Sequence, residues 1–404
     1  MCGACRVRTL CWMQERITFI GQVDFRNDRR RFGIKQEDRL LHTYVIGKTG
    51  TGKSTLLGHM AKQDLLAGGG FTLIDPHGDL VEQLYREAVS LGRSDVIYLN
   101  ATDPAQPYGY NPLRKVRKDR IPLAASGLLE VFKKMWSDAW GVRMEHILRN
   151  ALYALLEQNE ATLLDIPRLF SDRKFRRHVA ASVTNEPVRL FWEKEFDRYS
   201  FAYRADGVAS IQNKLGAFLS DPVMRRILTE PREMISMRRI MDQGGVLLVN
   251  LGKGRIGEDS AAILGGLLVT TIGLAAYSRA DSLPEERRDF ALYIDEFQTF
   301  TTLAVANMLA ELRKYRLGMV MAHQYLHQLE PEIRHAVLGN AGTLISFRLG
   351  AEDAAYIERE LGGRFEARDL LGLENRHMYV KLMIDGQPSK AFSATTIGPD
   401  PSIH

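Results

Sequence analysis

Gly47-Lys48-Thr49-Gly50-Thr51-Gly52-Lys53-Ser54 sets two glycines, a lysine and a hydroxyl at the spacing G-x-x-x-x-G-K-[ST]. Glycines at these positions let backbone N–H groups turn inward and converge on phosphate oxygens. The segment follows an apolar run, Thr43–Ile46, and opens a helical pattern from Thr55 to about Leu66. A helix N-terminus already favours an anion, so loop and helix act on the same group. The chemistry implied is triphosphate binding: ATP with Mg²⁺. Lys53 reaches the β- and γ-phosphates, Ser54 ligates Mg²⁺, and Thr55 completes the cofactor-binding set.

Hydrolysis needs more than a cradle. Phe290-Ala291-Leu292-Tyr293-Ile294 is an apolar run that ends in two carboxylates, Asp295 and Glu296. At a strand tip beside the phosphate loop, Asp295 holds the Mg²⁺ shell and Glu296 polarises the attacking water as general base. Gln324 ends another apolar run and is placed to sense the γ-phosphate or orient the water; the alternative is an ordinary polar strand end. Arg313, Arg316 and Arg348 are candidates for a cation given to a neighbouring subunit's nucleotide, or for charges at element ends. Asp75-Pro76-His77-Gly78-Asp79 reads as turn and capping chemistry, or as a second contact beside the nucleotide. Leu251-Gly252-Lys253-Gly254-Arg255-Ile256-Gly257 reads as a flexible basic loop whose Lys253 and Arg255 could meet DNA phosphates.

These residues must be held by elements, and the pattern of elements is plain. Short continuous apolar runs recur at Tyr44–Ile46, Phe71–Ile74, Val96–Leu99, Val246–Val249, Ala291–Ile294, Met319–Ala322 and Leu344–Phe347. Each leads into a turn and then a helical pattern. That order predicts an α/β fold with a mostly parallel sheet covered on both faces. Tyr379–Met383 adds a last strand. Residues 118–239 differ, with no clear strand run. Met144, Ile147, Leu148, Ala151, Leu152, Leu155 and Leu156 keep helical spacing, and Pro167, Pro187, Pro222 and Pro231 divide the stretch into several helices. This predicts an all-α insertion.

Composition fits a globular chain of 404 residues with 45% hydrophobic and 25% charged residues. The net charge of +5 is a modest basic excess compatible with a nucleic-acid partner. It is carried by clusters at Arg29–Arg31, Arg114–Arg120 and Arg173–Arg177. Cys2, Cys5 and Cys11 lie together at the N-terminus, and no second cysteine pair follows to complete a zinc site. No signal peptide is read. Ala261–Tyr277 is uncharged and nearly long enough to span a bilayer, but it lies between two expected strands of one sheet. A buried helix is the expectation.

Taken together the motifs resemble the TraD/TraG-type coupling proteins of conjugative type IV secretion systems, within the HerA/FtsK superfamily of P-loop motors. The resemblance rests on His42–Leu57 with the P-loop, TLIDPHGD at Thr72–Asp79, YGYNPL at Tyr108–Leu113 and VLLVNLGKGRIG at Val246–Gly257. It continues through YIDEF at Tyr293–Phe297, LRKYRLG at Leu312–Gly318, QYLHQL at Gln324–Leu329 and GNAGTLISFRLG at Gly339–Gly350. It implies a RecA-like core, an inserted all-α domain, a homohexamer, and DNA pumping driven by ATP. The expected layout is a tail (1–16), a first core part (17–117), the insertion (118–239), a second core part (240–398) and a short tail (399–404). Expected partners are DNA, other copies of the chain, and relaxosome and secretion-channel proteins. Members of the family usually carry N-terminal transmembrane helices, and none is read here. A cytoplasmic protein is therefore expected, reaching the inner membrane only through partners. His323 stands where relatives commonly have Ser or Asn before the Gln. Two alternatives remain open: a HerA-like motor working with a nuclease, and an ATP-gated adaptor that recruits partners without moving DNA.

Overall fold

The computed structural model describes residues 16–26 and 28–397, with the side chains of 201–206 outside that description. The pair Cys2 and Cys5, with Cys11, lies outside the described residues. The larger strands along the chain are β1 (Ile17–Val23), β2 (Arg31–Lys35), β3 (Thr43–Ile46), β4 (Gly70–Asp75), β5 (Val96–Asn100), β6 (Val246–Asn250), β7 (Phe290–Ile294), β8 (Leu317–His323), β9 (Thr343–Ser346), β10 (His377–Lys381) and β11 (Phe392–Thr396). The larger helices are α1 (Lys53–Leu66), α2 (Asp79–Ser90), α3 (Ile121–Met135), α4 (Val142–Leu156), α5 (Phe201–Leu219), α6 (Glu258–Ser278) and α7 (Leu303–Leu312). The chain forms two compact units. One holds residues up to Gly69, Ala291–Asp295 and Leu317 onward; the other holds Gly70–Phe290 and Glu296–Arg316.

In the first unit the strands run β2-β1-β11-β10-β9-β3-β8-β7. β3 pairs in parallel with β8 on one side and β9 on the other. All four residues of β3 are buried, as a central strand covered on both faces requires. The edge beyond β9 is antiparallel: β10, β11, β1 and β2 pair in alternating directions. The sequence runs did not anticipate β1, β2 and β11. Polar residues and glycine interrupt their apolar ones, and several positions are half-covered or exposed, so they lack a continuous run. The expected strand at Tyr379–Met383 is β10, starting two residues earlier and ending at Lys381.

In the second unit β4 and β5 both pair in parallel with β6. Residues 118–239 here form helices, joined by a two-residue strand, Glu233–Met234, that pairs with Tyr108–Gly109. Two of the four prolines mark helix starts: Pro187 and Pro222 occupy first-turn positions, where the missing N–H costs nothing. α4 buries Met144, Ile147, Leu148, Ala151, Leu152, Leu155 and Leu156, the face its spacing predicts. α6 is long and apolar enough to span a bilayer, yet 83% of its apolar window is buried within the protein. It is apolar all round because it is covered all round. Each buried Leu or Ile there contributes about 1.5–3 kcal/mol.

Candidate functional site

Register brings the first unit's candidates to one edge. His323, Ile46 and Ser346 are level across β8, β3 and β9. The segments leaving these three strand ends therefore emerge side by side: Gln324, the Gly47 loop, and Phe347-Arg348. β7 lies beside β8 and delivers Asp295. Backbone bonds fix the loop at its root, since Gly47 N–H donates to His323 O (3.3 Å) and Lys48 N–H to Arg348 O (2.9 Å). A Cβ at Gly47 would stand 2.6 Å from Phe347 Cβ, so only glycine fits. Gly52 has φ +121°, a region side chains rarely enter. α1 starts at Lys53, two residues earlier than the sequence pattern suggested, so the loop ends directly on a helix N-terminus.

The side chains form a hydrogen-bonded set. Lys53 is 6% exposed, and its ammonium donates to the carbonyls of Gly47 (2.6 Å) and Lys48 (3.1 Å). Ser54 Oγ donates to Asp295 Oδ2 at 2.6 Å. Thr49 Oγ1 donates to Gln324 Oε1 at 2.8 Å, and Thr51 Oγ1 to Lys48 O at 2.7 Å. Gly50 and Thr55 stand exposed beside them. A hydroxyl and a carboxylate in contact at a helix N-terminus are hard oxygen donors of the kind Mg²⁺ takes, so these residues fit that ion.

Behind this set lies a buried ionic cluster that the sequence did not announce. Asp64 on α1 takes both arms of Arg39 (2.8 Å each), Arg16 (2.7 Å) and the Tyr293 hydroxyl (2.5 Å). That hydroxyl also accepts from Arg39 at 2.6 Å. Burial alone would push the Asp64 carboxyl up, but Arg39, Arg16 and Tyr293 together hold it below the usual carboxylate range. Burial raises the Tyr293 phenol well above its ordinary value. The cluster ties β7, two residues before Asp295, to the helix that starts with Lys53 and Ser54.

Arg348 is half-buried. Its guanidinium donates to Asn375 Oδ1 (3.1 Å) and Leu373 O (3.4 Å) of its own chain. His323, fully buried, meets the Tyr44 hydroxyl of β3. This contact joins the strand entering the phosphate loop to the strand entering Gln324.

Glu296 follows Asp295 in the chain and opens the second unit's share of this segment. It is 9% exposed, with φ +50° and ψ +48°. A non-glycine residue in the left-handed region is costly, and such conformations concentrate at functional positions. Its Oε2 accepts from Gln298 Nε2 at 2.5 Å. Lys134 of α3 donates to Gln298 O (2.5 Å) and Thr301 O (2.7 Å), so a helix of the 118–239 stretch braces the turn that carries Glu296. A glutamine two residues after the carboxylate was the one signal for this brace.

Other second-unit candidates fall as follows. Arg313 is exposed at the end of α7. Arg316, read as a finger candidate or a paired charge at a helix end, caps that end with a left-handed backbone and pairs with Asp289 at 2.5 Å. Its carbonyl accepts from Phe290 N–H, so it anchors the start of β7. The flexible loop expected at 251–257 is a one-turn helix, Lys253–Ile256, pinned where Lys253 N–H meets Pro76 O at 2.8 Å. Lys253 is half-buried and Arg255 exposed. Asp75 caps the start of α2: its carboxylate accepts from His77, Leu80 and Val81 N–H. The basic clusters are partly neutralised, since Arg29 pairs with Asp24, Arg30 with Asp28, Arg117 with Asp119, and Arg173 and Arg176 with Asp197.

Comparison with known proteins bears on residues 32–370, which match the family model "Type IV secretion-system coupling protein DNA-binding domain". The bacterial conjugative coupling protein TrwBdeltaN70 superposes with TM-score 0.64 at 19% identity, over 93% of this chain and 88% of that one. TrwB in complex with ADP and Mg²⁺ superposes with TM-score 0.64 at 19% identity, over 95% and 90%. VirB4 of Thermoanaerobacter pseudethanolicus also gives 0.64, at 13% identity, over 94% and 96%. These likenesses establish the fold. None of the curated proteins matches this sequence.

Proposed function

Because this chain belongs to the type IV secretion-system coupling protein DNA-binding domain family, we propose that it is an ATPase that converts ATP hydrolysis into movement of DNA. The observation that carries the reading is the Ser54–Asp295 contact at the N-terminus of a helix entered through a glycine-rich loop. Mg²⁺ would neutralise charge on the triphosphate, and Ser54 and Asp295 are the residues that would hold it. Lys53, now on the loop's own carbonyls, is the point charge for the phosphates. Glu296 takes the proton of the attacking water. Gln324, level with the loop, orients that water. That TrwB has been solved with ADP and Mg²⁺ supports a nucleotide here.

The proposed working form is a ring of six in which a neighbour completes each site. Arg313 is exposed and suits that role; Arg348 is the second candidate, held by Asn375 until recruited. We further propose DNA, relaxosome and secretion-channel proteins as partners, with any place at the inner membrane reached through them. Residues 118–239 act as an inserted domain within the core of 17–117 and 240–398. The test is ATP hydrolysis by the purified protein, with and without single- and double-stranded DNA. Stimulation by DNA, abolished in K53A, is expected; hydrolysis equal in K53A would sink the assignment. Sedimentation with ATP and DNA should give a hexamer, and monomer alone would contradict the ring.

A further inference from the structure

One loop beside the phosphate cradle enters the proposed mechanism only through Asn375, which holds Arg348. Residues 373–376 pack against the cradle through three bonds, two from Arg348 and one to Thr51. Arg348 donates to Leu373 O and Asn375 Oδ1, while Arg348 O accepts from Lys48 N–H. Arg376 N–H donates to Thr51 O, inside the cradle, at 2.9 Å. Arg376 Cα lies 3.7 Å from where a Cβ on Gly52 would stand. Arg376 also has φ +71°, a left-handed backbone that an arginine adopts only at a cost. Its carbonyl accepts from Thr396 N–H of β11, so the strained residue is fixed from both sides. Its side chain is exposed, and among the described residues its guanidinium makes no ion pair or hydrogen bond.

A cation fixed by its backbone to a phosphate loop, and paired with no anion among the described residues, has one evident counterpart there. We infer that Arg376 pairs with a phosphate of the nucleotide bound by its own chain, on the ribose-proximal side that ATP and ADP share. This rests on the reading of Gly47–Ser54 as a nucleotide site. The guanidinium offers a planar, always-charged fork suited to phosphate. A cis contact to a phosphate that ATP and ADP share serves affinity for both nucleotides. This sets it apart from a trans arginine, which would alter hydrolysis and leave ADP affinity alone. Among the sequence motifs it had no signal, because Leu373–Arg376 joins the cradle only through tertiary bonds.

The experiment is titration of the full chain with fluorescent ADP and a fluorescent non-hydrolysable ATP analogue, each with Mg²⁺, in wild type, R376A, R376K and K53A. Arg376→Ala keeps a Cβ and the N–H to Thr51, so the backbone is asked for nothing new. Losing one charge-assisted contact should weaken both nucleotides about tenfold. R376K should recover part of the loss, and the gap should narrow as salt rises. An R376A protein that binds ADP as tightly as wild type, while K53A does not, overturns this inference and leaves the nucleotide site standing. R376K as weak as R376A, or a gap indifferent to salt, overturns the charge contact. A wild type that binds neither nucleotide overturns the site and this inference with it.

Discussion

Replacing Asp64 by asparagine tests whether the buried ionic cluster holds the catalytic edge together. Asp64 and Arg39 are each 4% exposed at the side chain, and the carboxylate meets three partners: Arg39 twice at 2.8 Å, Arg16 at 2.7 Å and Tyr293 at 2.5 Å. The amide removes the negative charge and leaves the Arg39 cation buried without its counter-ion. Breaking a buried pair from one side costs about 3–5 kcal/mol. Urea denaturation followed by circular dichroism should show this as a lower midpoint with an unchanged slope. Replacing the set by apolar residues of similar size, R39M/D64L/Y293F, deprives only Arg16, 32% exposed at the side chain, of its partner and should recover most of the loss. The reasoning fails if D64N costs less than about 1 kcal/mol, or if the triple variant is no more stable than D64N.

Three further outcomes are expected from the same geometry. Because the Asp64 pKa is held below its unfolded value near 3.9, its contribution is complete above that value and is lost as pH falls through the folded pKa. The stability gap between wild type and D64N should therefore stay flat from about pH 7 to 5 and shrink only below about 4, read from urea midpoints across pH. E296Q should bind ATP and Mg²⁺ normally but turn over about 10²- to 10⁴-fold more slowly, whereas D295N should also need more Mg²⁺; equal turnover in E296Q would place the base elsewhere. K253A/R255A should lower the slope of log affinity against log salt by up to about 1.8 on duplex DNA, two phosphate contacts at about 0.9 each; an unchanged slope would remove these residues from the DNA interface.

Much of the fold was legible because burial on both faces leaves a crude mark. β3, β4, β6, β7 and β8 are unbroken apolar runs, and the glycine spacing of the loop allows few other conformations. Asp295 could be placed for the same reason, at the end of such a run. β1, β2 and β11 escaped because a half-covered strand mixes polar and apolar residues and resembles loop. The Arg39–Tyr293 bond joins residues 254 positions apart, so no local pattern could announce it. Arg376 and Lys134 act through contacts to backbone carbonyls or N–H groups, which leave no requirement on the partner's residue type. The charge clusters misled in the opposite direction: Arg173 and Arg176 look like a free basic face in sequence, yet share Asp197.

The central claim is that hydrolysis at the Gly47–Ser54 loop moves DNA. The direct measurement is ATP-driven displacement of streptavidin from biotinylated single-stranded DNA, alongside displacement of a third strand from a duplex. Wild type should displace one or both blocks only with hydrolysable ATP. K53A and E296Q should bind the same DNA and displace neither. If wild type hydrolyses ATP at a rate indifferent to DNA and clears neither block, the protein is not a translocase.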